Sequence, residues 1–231
     1  MTVTSPCEDW GTLWAVPRPP KNIYVRNCNL SEGVFAHILI CWWKAYSAKM
    51  TAELIRKVVP EGEGRVSRES VSRLYGEIGD HLWLLGPCDT LIRAKVRDRK
   101  LSVEDAIAEI VREQDFYYEI LKKERTPHEV TLARRALGVT WSPFSDRPIE
   151  LLRLMFKSCN GFTRRHMNGY MTKALMIDRN MGTDTTLPAA MELSARSMLP
   201  LLKEYPLRAP LPRHKFPWID QWYAMTSEDR R

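Results

Sequence analysis

The chain of 231 residues is 44% hydrophobic and carries a net charge of +7. Its length excludes several independent domains, because it supports one sizeable core or two lobes packed together. The charge favours a polyanionic partner. The five cysteines, odd in number and without a CxxC pair, are typical of reduced thiols in the cytoplasm and not of a disulfide framework.

Both ends of the chain have the composition of aromatic arms. Residues 1–30 and 206–231 contain four prolines each, which disfavour helices, yet both segments are too apolar for free tails. Aromatic residues in an extended, proline-rich segment need a groove to lie in, on the same subunit or on another. The residues that we predict to mediate oligomerisation are Trp10, Trp14, Phe216, Trp218, Trp222 and Tyr223.

Helical patterns occupy the region between the arms. Ser31 can cap a helix whose apolar residues recur at three and four positions and which ends before Pro60. Ser67 opens the next helix, which Gly86 and Pro87 close. The longest apolar run, GVFAHILICWW, is well short of the roughly 20 residues that a membrane span needs.

The second half of the chain continues in the same way. Ser102 caps a clear amphipathic helix, and the capping box TPHE opens the next one. Asp146 and Thr163 cap two more helices. A last helix runs from about Thr186 and is bent or broken at Pro200.

These patterns predict an all-α fold with two helical lobes, residues 31–100 and 101–205, packed around a basic cleft. Strand signals are nearly absent. Residues 92–100, with the sequence IRAKVRDRK, are the best candidate for extended structure. An extended chain would align their alternate cations, from Arg93 to Arg99, on one side, whereas a helix would place these cations in repulsive i,i+4 pairs.

Two stretches supply the whole positive excess. Residues 92–100 hold five basic residues against one acid, and residues 145–175 hold six against two. The segment NGFTRRHMNGY at 160–170 interleaves aromatic rings with cations, a mixture that binds a single strand through phosphate contacts and base stacking. The predicted contacts to single-stranded RNA are Arg65, Arg68, Arg73, Arg93, Lys95, Arg97, Arg99, Lys100, Arg134, Arg135, Lys157, Arg164, Arg165, Lys173, Phe162 and Tyr170.

Catalytic signatures such as HExxH, a P-loop or GxSxG are absent from the sequence. His37 and Cys41 are interpreted as core residues of one apolar helix. Asp105, Glu109 and Glu113 repeat at the i,i+4 spacing that is typical of a solvated helix face. We therefore expect no enzyme activity, no cofactor and no metal site. An enzyme with an unrecognised site would instead have a deep pocket with strongly perturbed titratable groups.

Three local segments resemble the nucleoproteins of segmented negative-strand RNA viruses of the bunyavirus type. They are SRESVSRLYGEIGDHLWLL at 67–85, IYVRNCNL before the first helix, and LGVTW before a later one. The resemblance implies a two-lobed helical fold, an RNA groove between the lobes, arm exchange into oligomers and no enzyme activity. Of the family-like positions, Arg73 is the one that carries over. The expected location is the cytoplasm, or the virion for a viral protein.

The sequence therefore predicts a self-assembling, nucleocapsid-like protein that coats single-stranded RNA through a basic groove. Its expected partners are RNA and further copies of itself, and a polymerase is left open as another. The alternative is a helical matrix-like, capsid-like or adaptor protein, whose aromatic arms dock on protein partners and whose basic patches serve acidic proteins or membranes. Assembly or partner binding of such a protein would survive nuclease treatment.

Overall fold

The computed structural model describes residues 22–58, 66–123, 128–130, 132, 146–158, 163–182 and 185–226. Within these ranges the chain forms nine α-helices and no strand, so the predicted all-α class is confirmed. The helices are α1 (Glu32–Trp43), α2 (Ala48–Val58), α3 (Arg68–Trp83), α4 (Asp89–Arg99), α5 (Val103–Lys122), α6 (Asp146–Ser158), α7 (Met167–Asn180), α8 (Leu187–Glu204) and α9 (Ile219–Thr226). None of these helices is long and apolar enough to cross a membrane.

Serine caps begin three of the helices where the sequence predicts them. The hydroxyl oxygens of Ser31, Ser67 and Ser102 accept hydrogen bonds from backbone N–H groups in the first turns of α1, α3 and α5, at 3.3, 3.1 and 3.0 Å. Each serine satisfies a donor that has no partner within its helix. These starts are fixed by local chemistry alone.

Helix ends differ more from the predictions. The single helix expected from Ser31 to Pro60 is wrong, because the chain leaves α1 at Lys44 and turns through Ala45, whose φ is 56°. The expected stop at Gly86 and Pro87 is also wrong. A π-helical turn, Leu84–Cys88, accommodates the proline and leads directly into α4.

The expected break in the last long helix is absent, because α8 continues through Pro200 to Glu204. The extended structure expected for residues 92–100 is wrong as well, since residues 92–99 belong to α4 and Lys100 follows it. The buried residues of α4 are Leu91, Ile92 and Lys95, which share one face at helical spacing. Burial of that face outweighs the repulsion between the cations, so the segment is helical.

The C-terminal arm docks on its own chain. A parallel bridge joins Val25 to Leu207, whose N–H donates to the Tyr24 carbonyl at 2.8 Å. Beyond it, Phe216, Trp218 and Trp222 are buried in a series of edge-to-face ring contacts, and α9 replaces the expected extended segment. In this structure these three rings complete the subunit's own core, and their assignment to contacts between subunits stays a prediction. Tyr223 is 43% exposed, and Trp10 and Trp14 lie outside the described residues.

The hydrophobic core is one continuous cluster that includes buried side chains of α1, α3, α7 and α9. At its centre, α3 from the first half of the chain packs along α7 from the second half. Gly79 and Gly169 face each other there, next to the Trp42 ring. The division into lobes at residue 100 stays a prediction. The contact between α3 and α7 positions the side chains of the candidate site.

Candidate nucleic-acid interface

The cationic row of α4 is largely neutralised by acidic side chains. Arg93 pairs with Asp89 at 2.8 Å, and Arg97 pairs with Asp98 at 2.6 Å. Arg99 reaches Glu109 on α5 at 2.6 Å. Because a helix turns its side chains around the axis, these cations do not form the predicted row on one surface. Lys100 follows the helix as an exposed residue with φ of 53°.

Lys95 is a buried structural cation. Its side chain has no exposed surface, and its Nζ donates to Glu109 Oε2 and Glu113 Oε1, both at 2.9 Å. The prediction that Lys95 contacts RNA is therefore wrong, because no phosphate can reach this ammonium group in the folded chain. The interpretation of the acids as a solvated face is also wrong for Glu113, which is buried.

The second basic stretch surrounds a 3₁₀ turn, Arg164–His166, that leads into α7. Arg164 pairs with Asp115 of α5 at 2.6 Å, whereas Arg165 is exposed and makes no hydrogen bond or ion pair with a described residue. Lys173, on the next turns, is buried, and its Nζ lies 4.2 Å from the centroid of the Trp42 ring and 4.8 Å from that of Tyr170. Its positive charge is held beneath aromatic rings and not presented to solvent.

A cavity of about 420 Å³ lies where α3 and α7 meet the turn between α1 and α2. We call this cavity the tyrosine cleft, because Tyr46, Tyr75 and Tyr170 all line it. The predicted RNA contacts that it brings together are Arg68, Arg165, Lys173 and Tyr170. The residues that sequence reasoning missed are Trp42, Tyr46, Tyr75, Asp80 and His166.

The tyrosine cleft depends on close helix packing and on fixed rings. Gly76, Gly79 and Gly169 line its floor, and at Gly79 and Gly169 the two helix backbones are too close to admit a Cβ. The hydroxyl of Tyr75 shares a hydrogen bond of 2.6 Å with Thr51 Oγ1 of α2. Burial raises the pKa of Tyr75 well above its ordinary range, so the ring stays a neutral phenol. The cleft therefore presents oriented aromatic surface beside positive charge.

His166 adds a titratable group to the wall of the tyrosine cleft. Burial lowers the pKa of His166, and the positive charges of Arg165 and Lys173 lower it further, against the opposing effect of Asp80. Its Nδ1 lies 3.0 Å from the hydroxyl oxygen of Thr163. The imidazole is thus neutral at neutral pH and gains its charge in acid.

A second, smaller cavity of about 200 Å³ adjoins the tyrosine cleft. The two cavities share Asp80 and Arg165 in their walls. Arg164 and Asp115 line the second cavity, and Trp222 of α9 closes part of it. Asp80 and Arg165 thus lie between the two recesses.

The other predicted RNA contacts lie elsewhere. Arg65, Arg134, Arg135 and Phe162 fall outside the described residues. Arg73 on α3 and Lys157 on α6 are exposed but line neither cavity, and the same holds for the exposed cations of α4. The two basic stretches therefore do not share one cavity. The tyrosine cleft is lined by residues of the second stretch and of α3, and a basic cleft between two lobes stays a prediction.

Comparison of the chain with protein-family models, with curated proteins and with solved structures finds no match in any of the three. Within the described ranges, no group of His, Cys, Asp or Glu side chains is placed to hold a metal ion.

A separate groove of about 390 Å³ lies between α1 and α8. Its lining is mainly apolar, with Lys44, Glu192 and Arg196 among its residues. Ile40, which also lines it, is 45% exposed although α1 is otherwise a strongly buried helix. The lining of this groove is thus mainly apolar, whereas that of the tyrosine cleft combines tyrosine rings with basic side chains.

Proposed function

We propose that the chain binds single-stranded RNA in the tyrosine cleft and assembles on it as a nucleocapsid-like coat. The observation that carries this proposal is the meeting of Arg68 and Arg165 with three tyrosine rings around one cavity. Neither arginine makes a hydrogen bond or ion pair with a described residue. Both guanidinium groups are thus available for phosphates, while the phenol rings offer faces for bases.

Single strands fit this chemistry better than duplexes. Base stacking on tyrosine requires an exposed base face, which a paired and stacked base does not offer. Lys173 contributes to the field of the tyrosine cleft without touching the strand, because its ammonium group is buried beneath Trp42 and Tyr170. Contacts of arginine to phosphate carry no sequence information, which suits a protein that covers RNA along its length.

The α4 cations do not belong to the proposed interface, because they line neither cavity. Their acidic partners on α4 and α5 neutralise them locally. The RNA contacts are instead expected from Arg68, Arg165 and Tyr170, with Arg164 at the second recess once its pair with Asp115 opens. This is a shorter contact set than the charge pattern predicts.

The proposal is tested with a fluorescently labelled oligouridine and the double variant Arg68→Ala/Arg165→Ala. The matched control is Arg97→Ala/Arg213→Ala, which removes two exposed arginines that already pair with acids on other surfaces. Loss of two phosphate contacts lowers the slope of log affinity against log salt by about 1.4 for a single strand. Binding by the cleft variant equal to that of the control, at every salt concentration, would overturn the proposal.

For assembly, we propose that the N-terminal arm of one copy lies in the α1–α8 groove of the next. The arm carries Trp10 and Trp14 for the apolar lining, and Glu8 and Asp9, directly before Trp10, are opposite in charge to Lys44 of the groove. The same groove also favours the alternative function, an adaptor that binds protein partners, since an apolar recess accepts any matching helix or arm.

Three variants separate these possibilities on a sizing column. Ile40→Glu places a charge in the groove, and Leu193→Glu places one on an exposed position of α8 that does not line it. We expect Ile40→Glu and Trp10→Ala/Trp14→Ala to reduce the oligomer to the same smaller species, with Leu193→Glu unchanged. A monomer of unaltered size in all three cases, with or without nuclease, would support the adaptor function and remove self-assembly.

A further inference from the structure

A hydrogen-bonded series of side chains crosses three helices and ends at a carboxylate in the wall of the tyrosine cleft. Gln114 of α5 donates from Nε2 to Asn168 Oδ1 of α7 at 2.5 Å. Asn168 donates from Nδ2 to Asp80 Oδ1 of α3 at 2.9 Å. Asp80 lines both the tyrosine cleft and the second cavity, so the series delivers its carboxylate to the boundary between them.

This series fixes the direction in which Asp80 points. Because Asn168 accepts with its oxygen and donates with its nitrogen, its amide has one orientation that satisfies both neighbours. Asp80 Oδ2 makes no hydrogen bond with a described residue, and neither Arg68 nor Arg165 forms an ion pair with this carboxylate. An oriented acceptor is therefore held ready in a cavity whose other polar groups are mainly donors.

A carboxylate in an RNA site accepts hydrogen bonds from a base edge or from a ribose 2′-hydroxyl group. Phosphate groups are repelled by it, and the ring faces of bases stack on the tyrosines, so the base edge is the partner through which it can distinguish one base from another. A carboxylate accepts hydrogen bonds and donates none when ionised. The edge of guanine offers two adjacent donors, N1–H and N2–H. Uracil offers one N–H between two carbonyl oxygens, and cytosine and adenine each place a ring acceptor beside their amino group.

We propose that Asp80 reads the base bound in the tyrosine cleft and selects guanine, with Asn168 and Gln114 as its positioning residues. This inference rests on the proposed function. It adds one sequence-selective position to a strand that is otherwise held by its phosphates. A protein with this pocket binds RNA of any sequence, but it binds most tightly where guanines are spaced so that one lies in the cleft of each successive subunit.

The test uses labelled uridine oligonucleotides that differ at one central position, which is uridine, adenosine, cytidine, guanosine or inosine. For the wild-type chain we expect the guanosine probe to bind about tenfold more tightly than the uridine probe, within the range of a two-bond base contact. The inosine probe, which keeps N1–H and lacks the amino group, binds with intermediate affinity. Measurement by fluorescence anisotropy at fixed salt gives these ratios without any variant.

Asp80→Asn then removes the negative charge and replaces one acceptor by a donor at nearly constant shape. We expect this variant to lose the preference for guanosine and to bind the all-uridine probe more tightly than the wild type does. Circular dichroism establishes that its helices are retained. Equal binding of all five probes by the wild-type chain overturns the inference and leaves the proposed function standing. Absence of salt-dependent binding to every probe overturns the proposed function itself.

Discussion

Gly79 of α3 and Gly169 of α7 lie against each other so closely that a Cβ on Gly79 would stand 2.8 Å from the Gly169 Cα. A Cβ on Gly169 would in turn lie 3.1 Å from the Gly79 Cα and 3.2 Å from the Trp42 ring. Both neighbours are backbone or packed aromatic atoms, which have little freedom to move aside. The floor of the tyrosine cleft is thus a helix crossing that requires glycine at both positions.

Gly79→Ala is expected to force α3 and α7 apart. The added methyl group meets the backbone of the other helix, so the free energy of unfolding falls by about 1–3 kcal/mol, as in other overpacked cores. Gly76→Ala is the matched control one turn earlier, where a Cβ meets nothing within 4 Å and helix propensity favours alanine. Urea denaturation of both variants measures the difference. A Gly79→Ala protein as stable as Gly76→Ala would show that the crossing is looser than described.

Lys95→Met is expected to destabilise the fold strongly, because it leaves the buried Glu113 carboxylate without its ammonium partner. Removal of one member of a buried ion pair costs about 3–5 kcal/mol. Arg97→Met serves as the control, since the Arg97 side chain is 78% exposed and its removal should change the free energy of unfolding by less than about 0.5 kcal/mol. Thermal unfolding compares them, and equal melting temperatures would contradict the buried role of Lys95.

Trp222→Ala is expected to lower the free energy of unfolding by about 3–5 kcal/mol, the usual cost of truncating a buried aromatic side chain. Tyr223→Ala, its exposed neighbour on α9, should have a much smaller effect. Because α9 packs on its own subunit, the loss for Trp222→Ala should not depend on protein concentration. A loss that grows on dilution would indicate that the segment is instead contributed by a second copy.

Stability is expected to fall in mildly acidic solution. Burial lowers the pKa of His81, whose Nε2 donates to the Tyr205 carbonyl at 2.8 Å. The unfolded chain then binds the proton more readily than the folded chain, so stability decreases as pH falls below the ordinary histidine value of about 6.5. The lowered pKa of His166 has the same sign.

His81→Gln should therefore reduce the slope of stability against pH between about 6.5 and 5, and His81→Gln/His166→Gln should reduce it further. Chemical denaturation at several pH values measures the slope. An unchanged slope in the double variant would assign the acid sensitivity to carboxylates.

The sequence predicted Arg68, Arg165, Lys173 and Tyr170 of the candidate site from their type and local pattern, but not that Arg68 meets the other three. Arg165 and Tyr170 follow from the mixed basic and aromatic stretch, since both lie around one turn and one helix. Tyr46 and Tyr75 carry no such signal, because one lies in the turn after α1 and the other has the spacing of a core residue on α3. They meet the basic stretch through the α3–α7 crossing, which joins positions about 90 residues apart.

Hydroxyl caps and apolar periodicity act within a few residues, so they are enough to predict the helical class and the helix starts at Ser31, Ser67 and Ser102. The other features depend on contacts between residues that are far apart in the chain. Residues 92–99 are helical and Lys95 is buried because α5 supplies acidic partners and an apolar surface. The charge pattern of the segment considered alone does not show these contacts. The C-terminal aromatic residues are buried in the core of their own subunit. Their sequence shows that these apolar rings favour burial, but the surface that buries them exists only in the folded chain.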